Sequence, residues 1–404
     1  MEPESSLSSP RTAALAGITR NVFVLGVVSL FTDISSEMIV PVRILFLVGV
    51  LQTPLIAAGV IEGAAESAAS LLKIVSGRLA DEASERKPLI LFGYVVSNLA
   101  KPLLALVSTW PVALGLILID RTGKGVRGSP RDALLADSSP SAYRGKAFGF
   151  HRAMDTLGAA IGPLLTFGIL ALSQNDLRAV FAWTLVPGAL SVIVLWLFLH
   201  ERQRTAVATP RTRWNWREAQ ALGARFWLFA FVATLFALGN SSDAFIFLRT
   251  EGLEHSLEAV PLAYFGFNVV YALSSTPLGA LSDRWGRLPV LITGYLAFGA
   301  VYAGWALANQ AWQPWALFLI YGIYAAATEG VSKVMVTDTV EQTRRGSALG
   351  WFNGLTGLVA LPANVIGGWL WSNFGPSATF ALGAWLAFVA AGLLVAWGPW
   401  LVKD

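Results

Sequence analysis

The chain contains 404 residues, of which 55% are hydrophobic and only 13% are charged. Soluble globular domains carry about 25% charged residues, so the composition excludes an ordinary soluble protein and indicates a helical protein that crosses a membrane many times. The lack of cysteine excludes disulfides and thiol-based metal sites, and the three histidines are too scattered to suggest another kind of metal site. The net charge of +4 is not a nucleic-acid signal, because the basic residues lie in loops between apolar segments. We therefore expect no metal, no cofactor and no nucleic-acid partner.

In chain order, residues 1–20 are polar and lack the pattern of a signal peptide, so we interpret them as a short cytoplasmic tail. Twelve apolar segments follow, each close to the length of about 20 residues that a membrane-spanning helix requires. These predicted spans, numbered 1 to 12 in order, cover residues 21–50, 54–76, 88–107, 111–136, 147–172, 177–199, 224–249, 259–280, 289–308, 313–337, 347–372 and 376–399. A polar stretch divides the spans into two sets of six. The predicted organisation is therefore an N-terminal half at 21–200, a cytoplasmic central loop at 201–223, a C-terminal half at 224–400 and a cytoplasmic tail at 401–404.

Basic residues are concentrated in the loops that follow the even-numbered spans. The loops after the odd-numbered spans hold almost none, with Arg178 and Arg249 as the exceptions. Because cytoplasmic loops carry the excess of lysine and arginine, this alternation predicts a multi-pass membrane protein with both termini in the cytoplasm.

The two halves repeat one another at an offset of about 200 residues. Ile34–Glu37 in span 1 corresponds to Asn240–Asp243 in span 7, and Arg144–Gly149 at the start of span 5 corresponds to Arg345–Gly350 at the start of span 11. Duplicated units of this kind are a common construction in secondary transporters. The repeat therefore predicts two six-helix units with the same orientation.

Span 4 carries an unusual number of charges for an apolar segment. Each charge costs about 2.5–3.5 kcal/mol at the centre of a bilayer, so this helix has to face protein or water. Arg121, Lys124 and Arg131 share one helical face, and Arg127 lies beside it. We predict that these four cations line a substrate cavity.

A nucleotide-binding alternative for this segment is disfavoured. Gly123–Gly128 matches the dinucleotide pattern G-x-G-x-x-G, which requires a preceding strand, a following helix and a later acidic residue. Pro130 and a second long apolar span follow instead. A phosphate loop also fails, because Gly125 stands where serine or threonine is needed after Lys124.

Acidic residues inside the other spans are candidates for proton coupling. Asp33 and Glu37 lie one helical turn apart, and two carboxylates that close in a medium of low dielectric favour the retention of one proton near neutral pH. The predicted set is Asp33, Glu37, Glu62, Glu66 and Asp155, and further cavity candidates are Asp243, Glu329 and Lys333. Two structural alternatives stay open: a local ion pair between Glu329 and Lys333, and stabilisation of Asp155 by His151.

These motifs resemble those of the major facilitator superfamily over nearly the whole chain. The loop between spans 2 and 3 and its copy between spans 8 and 9 resemble the signature loop of that family, through Gly77, Asp81 and Arg86 and through Gly279, Asp283, Arg284, Gly286 and Arg287. The first copy departs from the pattern by one extra residue. Arg121 with Lys124 and Gly125 resembles the span-4 motif of proton-coupled drug exporters, with Lys124 in place of glutamine. The span-5 antiporter motif is matched by Gly149, Gly158, Gly162 and Pro163, but its final glycine pair is Thr166-Phe167 here.

The resemblance implies an all-α polytopic membrane protein of twelve transmembrane helices in two six-helix pseudo-repeats, with spans 1, 4, 7 and 10 around a central cavity. It implies the bacterial inner membrane as the location. It also implies alternating access and proton-coupled efflux of a small organic solute or drug, which the span-4 cations favour as anionic or zwitterionic. Proton-coupled uptake of an organic anion is the alternative, and a non-transporting receptor or scaffold is the alternative of another class. We expect no enzymatic activity, because the sequence lacks a set of nucleophile and base. The expected partners are a small-molecule substrate, protons and the lipid bilayer, with the chain acting as a monomer.

Overall fold

The computed structural model describes residues 18–82, 85–140, 143–201 and 219–401, together with their side chains except those of 73–75, 77–82 and 343. Throughout these described ranges the chain forms helices joined by short connections, and it contains no β-strand. This confirms the all-α prediction. A helix satisfies its own backbone polar groups, which a chain in lipid has to do because water is absent there.

The helices follow the predicted spans in order. In the N-terminal half they are Arg20–Glu37 with Val40–Leu45 (span 1), Leu55–Glu82 (span 2), Lys87–Leu103 (span 3), Trp110–Asp137 (span 4), Arg144–Leu172 (span 5), and Leu177–Trp183 with Leu185–Phe198 (span 6). In the C-terminal half they are Gly223–Gly239 with Asp243–Glu254 (span 7), Ala259–Trp285 (span 8), Arg287–Leu307 (span 9), Gln313–Asp338 (span 10), Arg345–Phe374 (span 11) and Pro376–Leu401 (span 12). Several helices extend beyond the apolar segments, because hydropathy reports the thickness of the membrane and not the polar turns outside it.

By length and composition, nine of the twelve helical spans in the described ranges are apolar enough to cross a membrane. The other three are spans 4, 8 and 10. They hold many of the polar and charged side chains that face the inside of the protein. This is the expected arrangement, since ionisable residues in membrane helices turn toward protein or a water-filled cavity.

Spans 1 and 7 are interrupted at the repeated motif. The first helix of span 1 ends at Glu37, and Pro41 at the start of the next helix explains why regular hydrogen bonding does not continue. In span 7 the second helix begins at Asp243, where the hydroxyl of Ser242 accepts a hydrogen bond from the Ala244 amide over 3.2 Å. The two interruptions bring Glu37 and Asp243 to corresponding breaks in the two halves.

The C-terminal half has a core of stacked aromatic rings. Phe236 lies 3.9 Å from Tyr295 between ring centroids, and Phe298 lies 3.9 Å from Tyr302 and 4.8 Å from Tyr324. Aromatic pairs at these separations stabilise packing beyond their buried area. The stack packs spans 7, 9 and 10 against one another.

The two halves touch at one end and separate at the other. A Cβ atom at Gly63 of span 2 would lie 2.7 Å from the Leu361 Cα of span 11, and one at Gly368 would lie 2.5 Å from the carbonyl oxygen of Leu55. Glycine permits this close helix contact. By contrast, a Cβ at Gly149 or Gly350, near the starts of spans 5 and 11, would meet nothing within 4 Å. The two glycines near the basic loops take no part in such a contact, so we interpret the seam as closed at the far end and more open at the end that carries the basic loops.

Candidate functional site

A cavity of about 690 Å³ lies between the two halves. Its walls come from spans 1, 2 and 4 on one side and from spans 7, 8, 10 and 11 on the other, and it reaches Gly350 near the open end. The charged side chains that line it are Arg43, Glu62, Glu66, Arg121, Asp243, Glu329 and Lys333. All of these except Arg43 are among the residues that the sequence selects. A concave site with a few convergent polar groups is typical of small-molecule binding.

Arg43 and Glu62 form a buried ion pair at the wall of this cavity. The Nε of Arg43 donates to Glu62 over 2.8 Å, and a second guanidinium nitrogen donates to the other carboxylate oxygen. The two side chains are 14% and 3% exposed. A bidentate pair offsets the desolvation of both charges. Ser242, in the opposite half, also donates to Glu62 over 3.4 Å, so Glu62 is already engaged and links the halves.

The carboxylates of the C-terminal half are held by tyrosine hydroxyls. Tyr321 donates to Asp243 and Tyr271 donates to Glu329, each over 2.7 Å. Arg152 of span 5 donates to the Tyr271 hydroxyl over 3.1 Å, which connects the N-terminal half to Glu329. Among the described residues, Glu329 thus has Tyr271 as its partner and forms no ion pair with Lys333. The local pair left open by the sequence is replaced by a contact between spans.

Arg121 is the member of the span-4 cations that lines the cavity. Its nearest acidic neighbour is Asp120, with 3.9 Å between the Nε and the carboxylate. The Asp120 carboxylate also accepts a hydrogen bond from Ser97 over 2.6 Å. Within the described part of the chain, the buried Nε of Arg121 has no hydrogen-bond partner. Such an orphaned group on a cavity wall is a position at which an acceptor from a bound molecule would be stabilised.

The other span-4 cations lie between helices of the N-terminal half. The Arg127 guanidinium is 4.2 Å from the centroid of the Tyr94 ring, in a cation–π contact. Arg131 pairs with Asp132 over 2.9 Å. Lys124 interacts electrostatically with the carboxylates on span 1. Of the four span-4 cations, Arg121 is in the cavity lining and the other three are not. A substrate contact by those three stays a prediction.

Asp33 and Glu37 of span 1 pack directly against two glycines of span 5. A Cβ at Gly158 would lie 2.9 Å from the Asp33 Cβ, and one at Gly162 would lie 2.7 Å from the Glu37 Cβ. The antiporter-like glycines therefore let span 5 lie directly on the paired carboxylates. Tyr264 of span 8 donates to Glu37 over 3.0 Å, which makes Glu37 a contact between the two halves.

Asp155 has the neighbour that the sequence suggests. The Nδ1 of His151, one turn earlier in span 5, lies 3.4 Å from the Asp155 carboxylate. His151 is buried and Asp155 is only partly exposed. This contact fits a structural role for Asp155, and its role in proton coupling stays a prediction.

The loop between spans 8 and 9 has a geometry that explains its motif. Gly286 has φ of +92°, a backbone conformation that side chains disfavour. Arg287 donates to Asp283 across this turn and lies 3.5 Å from Asp338 at the end of span 10. Gly279, near the end of span 8, would have open space around a Cβ, and Arg284 is exposed in the last turn of that helix.

The loop between spans 2 and 3 contains a matching contact, and we call each of these two arginine–aspartate pairs a clasp. Arg86 pairs with Asp137 at the end of span 4 over 2.7 Å. Residues 86 and 287 are 201 positions apart, and so are residues 137 and 338. The clasp is therefore duplicated with the fold. The side chain of Asp81 and the surroundings of Gly77 lie outside the described residues, so the rest of the first motif stays a prediction.

Sequence comparison decides the family. The sequence profile described as Major Facilitator Superfamily matches residues 25–253 and 229–402, which together include almost the whole chain. The chain belongs to the major facilitator superfamily. An uncharacterised transporter of the same type from Methanocaldococcus jannaschii is 33% identical over 384 residues, which cover 94% of this chain and 95% of that protein.

One further sequence match and one structural match are to transporters with named substrates. The class B tetracycline resistance protein of Escherichia coli is 26% identical over 151 residues, which cover 37% of this chain and 36% of that protein. The crystal structure of the nucleoside transporter NupG has a TM-score of 0.77 at 15% identity and covers 94% of this chain and 99% of that one. At such identity the likeness shows the fold alone. The superfamily consists of transporters and not of enzymes, so this chain is a multi-pass membrane transporter.

Three sets of contacts were not identified from the sequence, namely those of Arg43, those of Tyr264, and those of Asp137 and Asp338. Arg43 is visible as a charge inside span 1, but its partner Glu62 is not predictable from spacing. The role of Tyr264 has no sequence signal, because a tyrosine in an apolar helix is ordinarily a packing residue. Asp137 and Asp338 could have been found from the repeat, since both stand 51 residues after the arginine that they contact.

Proposed function

We propose that this transporter exports a small organic solute from the cytoplasm in exchange for protons, by alternating access, with both termini in the cytoplasm of a bacterial cell. The observation that carries the proposal is the hydrogen bond from Tyr264 to Glu37. It joins spans 8 and 1, which belong to opposite halves. It also ends on a carboxylate that stands beside Asp33 under the glycines of span 5.

The chemistry of this contact relates a proton to the position of the two halves. A hydroxyl donates a stronger hydrogen bond to an ionised carboxylate than to a neutral carboxyl group. Protonation of Glu37 therefore weakens the link between spans 1 and 8, and deprotonation restores it. Because the halves have to move against one another at this seam, the contact gives proton binding a differential effect on the two states, as coupling requires.

Export is supported by two observations, each from the sequence. The span-5 glycines match the antiporter motif, and the tetracycline resistance protein is similar over about a third of the chain, 37%. Uptake by symport uses the same alternating access and is the opposite outcome of the same test. A receptor without transport is disfavoured, because the buried charges around the cavity cost stability and contribute nothing to a scaffold.

Membrane vesicles of defined orientation test direction and coupling together. Everted and right-side-out vesicles that contain the protein would be incubated with a bacterial metabolite extract under an imposed pH gradient, and their contents would be compared by mass spectrometry. We expect a solute to accumulate in everted vesicles that are acidic inside, and the accumulation to disappear with a protonophore and in Glu37→Gln. Accumulation that requires vesicles alkaline inside, in place of vesicles acidic inside, would show proton symport and therefore uptake. Accumulation that is unchanged in Glu37→Gln would refute the role of Glu37.

A further inference from the structure

We infer that the cavity binds a zwitterionic solute, with its protonated amine between Glu66 and Asp243 and its anionic group at Arg121. This rests on the proposed function in one respect, namely that the cavity between the halves is the transport site. It chooses the zwitterion from the two solute classes, anionic and zwitterionic, that the span-4 cations favour. The reasons are the balance of charge in the cavity, the position of its carboxylates and the orphaned nitrogen of Arg121.

The balance of charge excludes a simple anion site. Arg43 and Glu62 neutralise one another. Three carboxylates remain on the wall, namely Glu66, Asp243 and Glu329, against two cations, Arg121 and Lys333. A bound anion would add a fourth negative charge to the cavity, and a bound cation without an acceptor would leave the Nε of Arg121 unsatisfied. A ligand that carries both charges would pair its amine with the carboxylates and its anionic group with Arg121.

The amine position lies where carboxylates of opposite halves face the same space. Glu66 on span 2 and Asp243 on span 7 both line the cavity, so two groups that are negatively charged when ionised face it from opposite halves. Asp243 stands in the first turn of its helix and keeps one hydrogen bond from Tyr321. A protonated amine between the two carboxylates would relieve their repulsion, and it would draw the halves together by contacts to each.

Aromatic rings complete the amine position. Tyr321 lies 5.3 Å from Phe267 and 5.1 Å from Tyr324 between centroids, and all three line the cavity. A cation against the face of such rings is stabilised by their quadrupoles. Phe298 of span 9 packs against both Tyr321 and Tyr324, at 6.3 Å and 4.8 Å between centroids, so the surface is already formed before a ligand binds.

The anion position is the guanidinium of Arg121. Its side chain is 14% exposed, which restricts its movement and limits its access to water. Its Nε has no hydrogen-bond partner among the described residues, and Asp120 is held by Ser97. A carboxylate or phosphate in the cavity would accept hydrogen bonds from this guanidinium, because Arg121 lines the cavity wall.

The probes are ω-aminoalkanoates of increasing chain length, each compared with the alkylamine and the alkanoate of the same length. Binding to the purified transporter would be measured by calorimetry. We expect at least one aminoalkanoate to bind about tenfold or more tightly than either of its two controls. If no aminoalkanoate at millimolar concentration binds better than its alkanoate, the inference is wrong.

Variants assign the two ends of the ligand. Asp243→Asn and Glu66→Gln should each lower the affinity for the aminoalkanoate and should not lower the affinity for the alkanoate, because each variant removes a negative charge from the cavity wall. Arg121→Gln should lower it to that for the alkylamine. Glu251→Gln is the matched control, since Glu251 is an acidic residue of span 7 outside the cavity lining and should leave all affinities unchanged. Equal losses for all three ligands in every variant would overturn the assignment.

The outcome is separable from that of the proposed function. Proton-driven accumulation in vesicles tests coupling with whatever solute the extract supplies, and it does not depend on the charge of that solute. Coupled transport with no preference for aminoalkanoates would overturn the zwitterion and leave the exporter standing. A clear preference without a pH-driven flux would support the zwitterion and overturn the coupling.

Discussion

The hydrogen bond between Tyr264 and Glu37 can be removed without any other change, by Tyr264→Phe. The substitution keeps the ring that packs beside Phe267 and deletes only the hydroxyl that donates over 3.0 Å. A hydrogen bond to a charged group contributes about 1.5–3 kcal/mol. Since this one joins opposite halves in the conformation that is open at the basic loops, its loss should shift the equilibrium constant between the two conformations by about tenfold to a hundredfold against that conformation.

The chain contains no cysteine, so a single introduced cysteine can report the conformation by its reaction with a maleimide. Asn353 is exposed and lines the cavity near its open end, so Asn353→Cys introduces a single thiol that reacts with a maleimide when that end is open. In this background we expect Tyr264→Phe to slow labelling of the purified protein. The slowing should be largest at a pH where Glu37 is ionised.

Tyr94→Phe is the matched control. Tyr94 is buried in span 3, and its hydroxyl has no hydrogen-bond partner among the described residues, so the labelling rate should stay unchanged. An unchanged rate in Tyr264→Phe, or an equal slowing in Tyr94→Phe, would refute the reasoning that the bond to Glu37 holds the halves in this state.

Three further substitutions or fusions have definite outcomes. Glu62→Gln should destabilise the transporter by about 3–5 kcal/mol, because it leaves the buried Arg43 unpaired. The double variant Arg43→Met with Glu62→Leu should recover most of the melting temperature. Equal melting temperatures of the single and double variants would contradict this prediction. Gly162→Ala should lower the melting temperature through a clash with Glu37 worth about 1–3 kcal/mol, whereas Gly149→Ala, which has open space around it, should not. Reporter fusions at Arg345 should indicate the cytoplasm and one at Gln310 the outside, and a fusion on the wrong side would break the predicted topology.

The sequence was sufficient for the fold because hydropathy and the repeat are both one-dimensional signals. Twelve apolar segments in two sets of six predict the helices that the structure contains, and the repeated motif Ile34–Glu37 and Asn240–Asp243 marks where spans 1 and 7 break. The helix ends were less accurate. Span 2 continues to Glu82 and span 8 to Trp285, since the polar turns beyond the membrane are helical but carry no hydropathy signal.

The site was only partly predictable, because a helical face can be read from spacing but its neighbour cannot. Arg121 and Arg127 are both cations of span 4, yet one lines the cavity and the other stacks on Tyr94. The difference lies in the rotation of the helix against span 3. Gly93 and Gly123 set that rotation, since a Cβ at Gly93 would lie 2.7 Å from the carbonyl oxygen of Gly123.

Comparison of the two halves separates residues that maintain the fold from residues that determine chemistry. The clasps of Arg86 with Asp137 and of Arg287 with Asp338 are retained in both halves, as expected for a contact that holds each bundle at its basic loop. The interior is not symmetric.

Arg43 forms a buried pair with Glu62 on the cavity wall, whereas its repeat partner Arg249 donates to the carbonyl oxygen of Ala308 outside the cavity. Glu37 receives a hydrogen bond from the opposite half, whereas its repeat partner Asp243 receives one from Tyr321 of its own half and faces the cavity. Under the proposed function, one carboxylate of the duplicated motif would sense the position of the halves, and the other would contact a solute. A single duplicated position would then supply both of the groups that the proposed exchange of a proton for a solute requires, one in each half.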